Sequence, residues 1–376
     1  MGYTESIVER CTHCVLPKSE FIEFDPDGAC SLCAASARGG HAGPERPRPE
    51  GDLERLLEDV RERGKGRPYD CLVGVSGGRD SSYLLWILAT QHKLRCLAVY
   101  YRTPFTPDTI DANVRRLVAK TGVPLVEIQL SQEYHRRVAA EVFRLWARRP
   151  ETAIANLTCA PCKMVNREMF KIARKQGVRT IIYGGNKYEE FQLGAAQVRY
   201  GTSDTGAAAV RMESFGSQFR KTLTLGRRGL DLLRKSASVW KYLPVGVKAA
   251  VLYINPHSVY FKLRYRDIRA IDYFFHTDFD EAGVNAALPQ IGWELPPGAN
   301  AIWRSDCCFA EVKNFMFHKM TGIRYMDTYL SNMVRDGVLT REEALERLGR
   351  EGQPSIARLE DAARILDVPR EMLGLK

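Results

Sequence analysis

Seven consecutive residues, Ser76-Gly77-Gly78-Arg79-Asp80-Ser81-Ser82, combine the types that hold a phosphate. Two glycines let the backbone approach a ligand without Cβ clashes, and successive N–H groups can line the concavity they form. Ser81 and Ser82 add hydroxyl donors beside Ser76, and Arg79 adds a cation. Asp80 is the odd member, because a carboxylate beside phosphates repels them unless Mg²⁺ or a substrate amine lies between. Asp80, Ser76 and Arg79 are therefore the candidate catalytic residues. The flanks fit the same reading. The apolar run Cys71-Leu72-Val73-Gly74-Val75 suits a buried parallel strand, and Tyr83, Leu84, Leu85, Ile87 and Leu88 recur at helical spacing. A helix starting at the turn would add unsatisfied donors and positive dipole.

A second candidate loop is Gly184-Gly185-Asn186-Lys187-Tyr188-Glu189-Glu190. Gly184 and Gly185 permit close ligand approach at a strand end, and Asn186 and Glu189 can bind an amine, a hydroxyl or Mg²⁺.

Cysteines form two further groups. Cys11-x-x-Cys14 and Cys30-x-x-Cys33 bracket fifteen residues. That spacing can place four thiolates tetrahedrally around Zn²⁺, and four closed thiolates make the metal structural. A segment of that size has too small a core to stand alone, so the metal would supply folding free energy. His13 lies in the first knuckle and is read as a bystander. Cys159 and Cys162, with the distant Cys307 and Cys308, can hold a second zinc or a [4Fe–4S] cluster. Alternatively they are redox or sulfur-carrying thiols, with Cys162 a reactive thiolate at a helix N-terminus, or they are inert.

Positioning these residues requires a sheet. Leu94 to Tyr101, Val123 to Leu130 and Val178 to Tyr183 follow the first strand, separated by helices from Thr106-Pro107 to Gly122, over 132–149 and over 163–176. This alternation predicts an α/β fold with a parallel, doubly wound sheet, whose ligands sit beyond the carboxyl ends of the strands. The organisation expected is a four-cysteine zinc module over 1–38, a Pro/Gly linker over 39–51, the α/β domain over 52–200, a basic and aromatic region over 201–300 and a helical region over 301–376. Thr340-Arg341-Glu342-Glu343 is a capping box there, and Ser355 opens the last helix.

The 376 residues carry a formal charge of +10, concentrated between Arg211 and Arg269, where thirteen Lys/Arg face three acids. Aromatics including Phe215, Phe219, Trp240, Tyr242, Tyr253, Tyr260, Phe261 and Tyr265 are interleaved. Such a block argues for an anionic partner: a nucleotide-linked or lipid-linked sugar, or RNA. A solvated helical subdomain with aromatics in its core is the plainer alternative. No apolar run reaches the length of a membrane helix, and MGYTESIVERCTHC lacks a signal core. A cytoplasmic protein is expected, in which ten cysteines imply metal or redox chemistry rather than disulfides.

The Ser76–Ser82 string resembles the pyrophosphate loop of the ATP pyrophosphatases; it is not the G-x-x-x-x-G-K-[ST] loop, which is absent. The resemblance implies ATP cleaved between its α and β phosphates, AMP transferred to a substrate oxygen, and displacement of that adenylate by nitrogen or sulfur. Cys11-Thr12-His13-Cys14-Val15-Leu16-Pro17, Asp27-Gly28-Ala29-Cys30-Ser31-Leu32-Cys33 and residues 309–345 look like the N-acetyl-sugar amidotransferases of surface-polysaccharide pathways. This implies ATP and Mg²⁺ as partners of Ser76, Gly77, Gly78, Asp80, Ser81 and Ser82, an acetamidino sugar as product, and ammonia from a separate glutaminase-type subunit. Two departures stand out. Arg79 occupies a position where many members of the family have lysine, and amide formation has no need of Cys159, Cys162, Cys307 and Cys308. Those cysteines are similar to the cluster ligands of tRNA thiolases, the alternative function; a nucleotide-binding regulatory module without turnover is the third.

Overall fold

A computed structural model describes residues 8–37, 52–189, 255–277 and 279–375. The expected linker at 39–51, Glu190 and the basic stretch 211–254 with its five aromatics lie outside the described residues.

Five parallel strands, β1 (Cys71–Val75), β2 (Cys96–Tyr100), β3 (Leu125–Glu127), β4 (Thr180–Tyr183) and β5 (Arg269–Asp272), form one sheet in the order β3-β2-β1-β4-β5. Every pairing is parallel. The two-residue period of a strand divides the sheet's side chains between two cores. Cys71, Val73, Val75, Ala98, Tyr100 and Ile182 face one cluster, whereas Leu72, Leu97, Val99 and Ile181 face the other. Because both faces are covered, strands β1 and β2 read as continuous apolar runs rather than alternating ones.

The first face carries α2 (Asp52–Gly64), α3 (Arg79–Thr90) and α4 (Asp108–Thr121), with α9 (Glu281–Ile291), α11 (Tyr325–Arg335) and α12 (Arg341–Glu351). The second carries α7 (Ala160–Lys175) and α8 (Val259–Arg264). A separate core joins α5 (Gln132–Arg148), α6 (Thr152–Leu157), α10 (Phe309–Thr321) and α13 (Ile356–Leu366). The chain order matters for function. From β1 it moves outward to β2 and β3, then returns to the other side of β1 for β4 and β5, so β1 and β4 flank the topological switch point where such sheets bind ligands.

Most predicted elements are present. Gly122 ends α4 in the left-handed region, and Thr340 and Ser355 cap their helices by accepting from Glu343 N and Arg358 N. Thr106 does not cap α4: Pro107 is the capping residue, and the Thr106 hydroxyl closes a turn with Thr103. Strand β5, helix α6 and helix α9 were not predicted.

The N-terminal cysteine module closes with α1 (Ser31–Ala37) and is docked on the C-terminal helices. Leu16, Ile22 and the four cysteines pack with Phe317 and Ile323. Arg10 pairs with Asp327 at 2.8 Å, Val15 N donates to Ser331 Oγ at 3.2 Å, and Arg341 Nε donates to the Cys11 and Cys14 carbonyls. Among the described residues no helix is long and apolar enough to cross a membrane.

Candidate active site at the carboxyl ends of β1 and β4

A cleft of about 530 Å³ opens beyond the carboxyl ends of β1, β2 and β4. Ser76, Gly78, Arg79, Asp80 and Ser81 line it from the first loop, and Gly184, Gly185 and Glu189 from the second. The two loops touch: a Cβ added at Gly184 would lie 3.2 Å from Ser81 Cα, which is tighter than ordinary packing. The serines are drawn together at the mouth of the turn. Ser76 Oγ lies 3.1 Å from Ser81 Oγ, Ser76 N donates to Ser81 Oγ, and Gly78 N donates to Ser76 Oγ. These groups can re-aim toward a bound oxyanion with little backbone movement.

Other predicted members do not face the cleft. Gly77 holds the turn in the left-handed region at φ 83°, and a Cβ there would strike Ile110 and Val114 of α4. Its carbonyl accepts from Trp293 Nε1. Ser82 is buried at 1% exposure in the first turn of α3, its Oγ without a hydrogen-bond partner. Asn186, also buried, donates Nδ2 to Asp80 Oδ2 at 2.7 Å while its Oδ1 accepts from Tyr188 N and Glu189 N. It therefore fixes Asp80 and closes the second loop, with no atom directed at a ligand.

Arg79 is placed differently from the sequence expectation as well. Its guanidinium is almost wholly buried and donates to Asp80 Oδ1 at 2.5 Å, Glu281 Oε1 at 2.6 Å and Tyr329 OH at 3.2 Å. Glu281 continues the chain of charges to Arg347 at 2.6 Å, and Arg347 to Glu351. Burial would raise the Glu281 pKa, but Arg347 and Arg79 hold it below its ordinary value. The guanidinium thus anchors the loop to α9 and α11 and keeps Asp80 in one rotamer. Glu281 and Tyr329 lie more than 200 residues from the loop, and no local pattern announces them.

Glu189 accepts from Trp303 Nε1 at 2.8 Å, and burial pushes its pKa up to about 7. Beside it the cleft is lined by Lys163 and Asn166 of α7, Arg304, Asp306 and Lys313. Burial lowers the pKa of both lysines. None of these was singled out in the sequence, where each is an isolated polar residue in a helix or turn.

Cys159, Cys162 and Cys307 line the same cleft, whereas Cys308 turns away into the core of α5, α10 and α13. The second cysteine group is thus brought together in three of its four members. Burial pushes the Cys162 thiol above its ordinary pKa. Its Sγ lies 3.4 Å from His135 Nε2, and His135 Nδ1 lies 3.1 Å from Tyr101 OH. Burial lowers His135 to about 4, which keeps the imidazole neutral.

The N-terminal cysteines make a metal-binding set. The Sγ atoms of Cys11, Cys14, Cys30 and Cys33 all lie within 4.8 Å of one another and are buried. Cys11 and Cys33 are 3.9 Å apart, and Cys14 and Cys30 3.7 Å. Tetrahedral thiolates about 2.3 Å from one ion would be about 3.8 Å apart. Four irons of a cluster would spread their ligands wider. Cys14 N, His13 N and Cys30 N all donate to Cys11 Sγ, and Arg335 reaches Cys14 Sγ at 3.5 Å, so the thiolate charge is met by donors around it. Among the described residues this is the one such set; the cleft cysteines are not gathered at single-ion spacing.

No family model matches the sequence, and no curated protein matches it. Among solved structures the chain is similar to NMN synthetase from Francisella tularensis, at 12% identity over 81% of this chain and 92% of that one, with a TM-score of 0.36. It is similar to the U34-tRNA thiolase NcsA from Methanococcus maripaludis with its [4Fe-4S] cluster, at 10% identity over 96% and 89%, TM-score 0.33. The NH3-dependent NAD synthetase from Campylobacter jejuni matches at 13% identity over 53% and 94%, TM-score 0.26. Likenesses at this level assign neither activity nor substrate to the chain.

Proposed function

We propose that this chain is an ATP pyrophosphatase-type enzyme that adenylates the amide oxygen of an N-acetyl sugar and replaces it with nitrogen. The supporting observation is the meeting of the Ser76–Ser81 turn with Gly184 and Gly185 at the β1–β4 switch point, over a carboxylate, Asp80, fixed by Asn186 and Arg79. Ser76, Ser81 and the Gly78 backbone are the donors for the phosphates, aided by the positive end of α3. In the first step the amide oxygen attacks the α-phosphorus and pyrophosphate leaves; in the second, ammonia adds to the imidoyl carbon and AMP leaves with the oxygen. A partner glutaminase-type subunit supplies the ammonia.

Asp80 and Glu189 are the carboxylates that would hold Mg²⁺, which would offset phosphate charge when bound. Each oxygen of Asp80 keeps lone-pair capacity beyond its bonds to Arg79 and Asn186. Zn²⁺ is the ion that fits Cys11, Cys14, Cys30 and Cys33, in a structural role. Lys163, Lys313 and Arg304 favour an anionic acceptor such as a nucleotide-linked sugar.

The test is incubation with ATP, ammonium and a panel of nucleotide-linked N-acetyl sugars. A product in which one sugar has exchanged an oxygen for NH, with stoichiometric AMP, is expected. Unchanged sugars, together with sulfur transferred to tRNA in a parallel incubation given tRNA and sulfide, would favour the second reading, a thiolase, which rests on Cys159, Cys162 and Cys307 around the cleft. Those three would hold its iron–sulfur cluster.

A further inference from the structure

On the edge of the sheet far from the cleft, the described end of the basic block forms a surface of its own. Strand β5 begins at Arg269 beside Arg179, at the amino ends of the parallel strands, while the cleft lies at the carboxyl ends. A depression of about 450 Å³ there is lined by Arg63, His257, Lys262, Arg266 and Arg269 over a floor of Phe170, Phe261 and Tyr265. Phe170 and Phe261 stack with centroids 4.2 Å apart, which makes the floor rigid. The charges are met only in part: His257 Nε2 lies 2.7 Å from Asp272 Oδ2. Arg269 pairs with Asp59 at 2.7 Å, but Arg63 spends its donors on the Arg179 and Asp267 carbonyls. Lys262 and Arg266 meet no carboxylate among the described residues and are exposed.

Between these cations sits Leu263. It is 63% exposed, more than any other large hydrophobic residue of the described chain that stands out in solvent. Its neighbours Lys262 and Arg264 are exposed too, so α8 presents one leucine flanked by two cations. Upstream in sequence, residues 211–254 carry nine more Lys/Arg against Glu213 and Asp231.

We infer that this surface docks the protein on an anionic lipid bilayer. Cations alone would fit any polyanion, RNA included. An apolar side chain held out among them gains nothing from a phosphodiester backbone, but gains burial at the boundary of headgroups and acyl chains. Basic residues near such a surface are drawn to its negative potential, and the stems of Lys and Arg lie along the apolar layer while their heads stay wet. The patch lies along the edge strand β5 and shares no lining residue with the cleft, so docking leaves the cleft open. The inference does not depend on which acceptor the cleft takes.

Sedimentation of the full chain with vesicles tests it, using phosphatidylcholine alone and phosphatidylcholine with phosphatidylglycerol. Binding to the anionic vesicles only is expected, weakening as salt is raised. Leu263→Asp should weaken it by about tenfold, and Lys262→Glu and Arg266→Glu by about fivefold each or more. Circular dichroism shows whether these surface variants remain folded. Binding that is unchanged in all three variants, or absent in the parent protein, overturns the proposal. So does tight tRNA binding that Lys262→Glu abolishes and Leu263→Asp leaves intact, because a nucleic-acid surface would respond to charge alone.

Discussion

Asn186 Nδ2 donates to Asp80 Oδ2 across 2.7 Å, tying the loop after β4 to the one carboxylate of the loop after β1. Replacing Asn186 with Ala removes that donor and the Oδ1 that accepts from Tyr188 N and Glu189 N, while Glu189 N keeps its bond to the Asn186 carbonyl. Unsatisfied buried donors cost about 1–3 kcal/mol each. Asn186→Ala should lower stability by about 2 kcal/mol and reduce adenylation at least about tenfold, through kcat more than KM. Urea unfolding and steady-state kinetics measure the two effects separately. Loss of stability with unchanged kcat would make Asn186 a purely structural residue.

Arg79→Lys tests whether the guanidinium is an anchor. An ammonium cannot reach Asp80, Glu281 and Tyr329 together, so one buried carboxylate loses its cation contact here and keeps only Asn186 (for Asp80) or Arg347 and Tyr329 (for Glu281). Breaking such a pair costs about 3–5 kcal/mol. The expected loss should appear in the urea midpoint.

Glu189 predicts a pH dependence. Its folded pKa of about 7 stands above the ordinary 4.5, so between those values the native state keeps a proton that the unfolded chain has released. Its contribution is therefore fully present below about pH 4.5, falls as pH rises to about 7, and is level above that. The change is on the order of 3 kcal/mol. Glu189→Gln should flatten that part of the stability profile, measured by urea unfolding across the range.

Removal of metal from the cysteine module should be felt in the whole molecule. Ser331 and Asp327 hold the module to α11, which also covers the sheet, and Phe317 and Ile323 pack against it. Cys30→Ser or a strong chelator should lower the single melting temperature of the protein, with about one zinc lost per chain. Two separate transitions would show that the docking carries little energy.

The sequence makes legible what local patterns encode. An apolar pentapeptide, Ser-Gly-Gly and a helical period define β1, the turn and α3, and knuckle spacing defines the four cysteines. Strand β5 escaped because Arg269-Ala-Ile-Asp is four residues inside a basic stretch, paired with β4 alone. Helix α9 carries Pro289 within it and shows little division into faces. The division of labour among site residues was illegible for a different reason. Whether Ser82 and Asn186 face a ligand or a core depends on helix phase and on Asp80, and Arg79 depends on partners from α9 and α11.

The central claim is ATP cleavage at the α-phosphate in this cleft. Incubating the protein with α-labelled and γ-labelled ATP and an acceptor, and resolving the products, tests it directly. AMP and pyrophosphate in equal amounts, dependent on acceptor and lost in Asp80→Ala, are predicted. ADP and orthophosphate, or cleavage that persists in Asp80→Ala, would contradict the account.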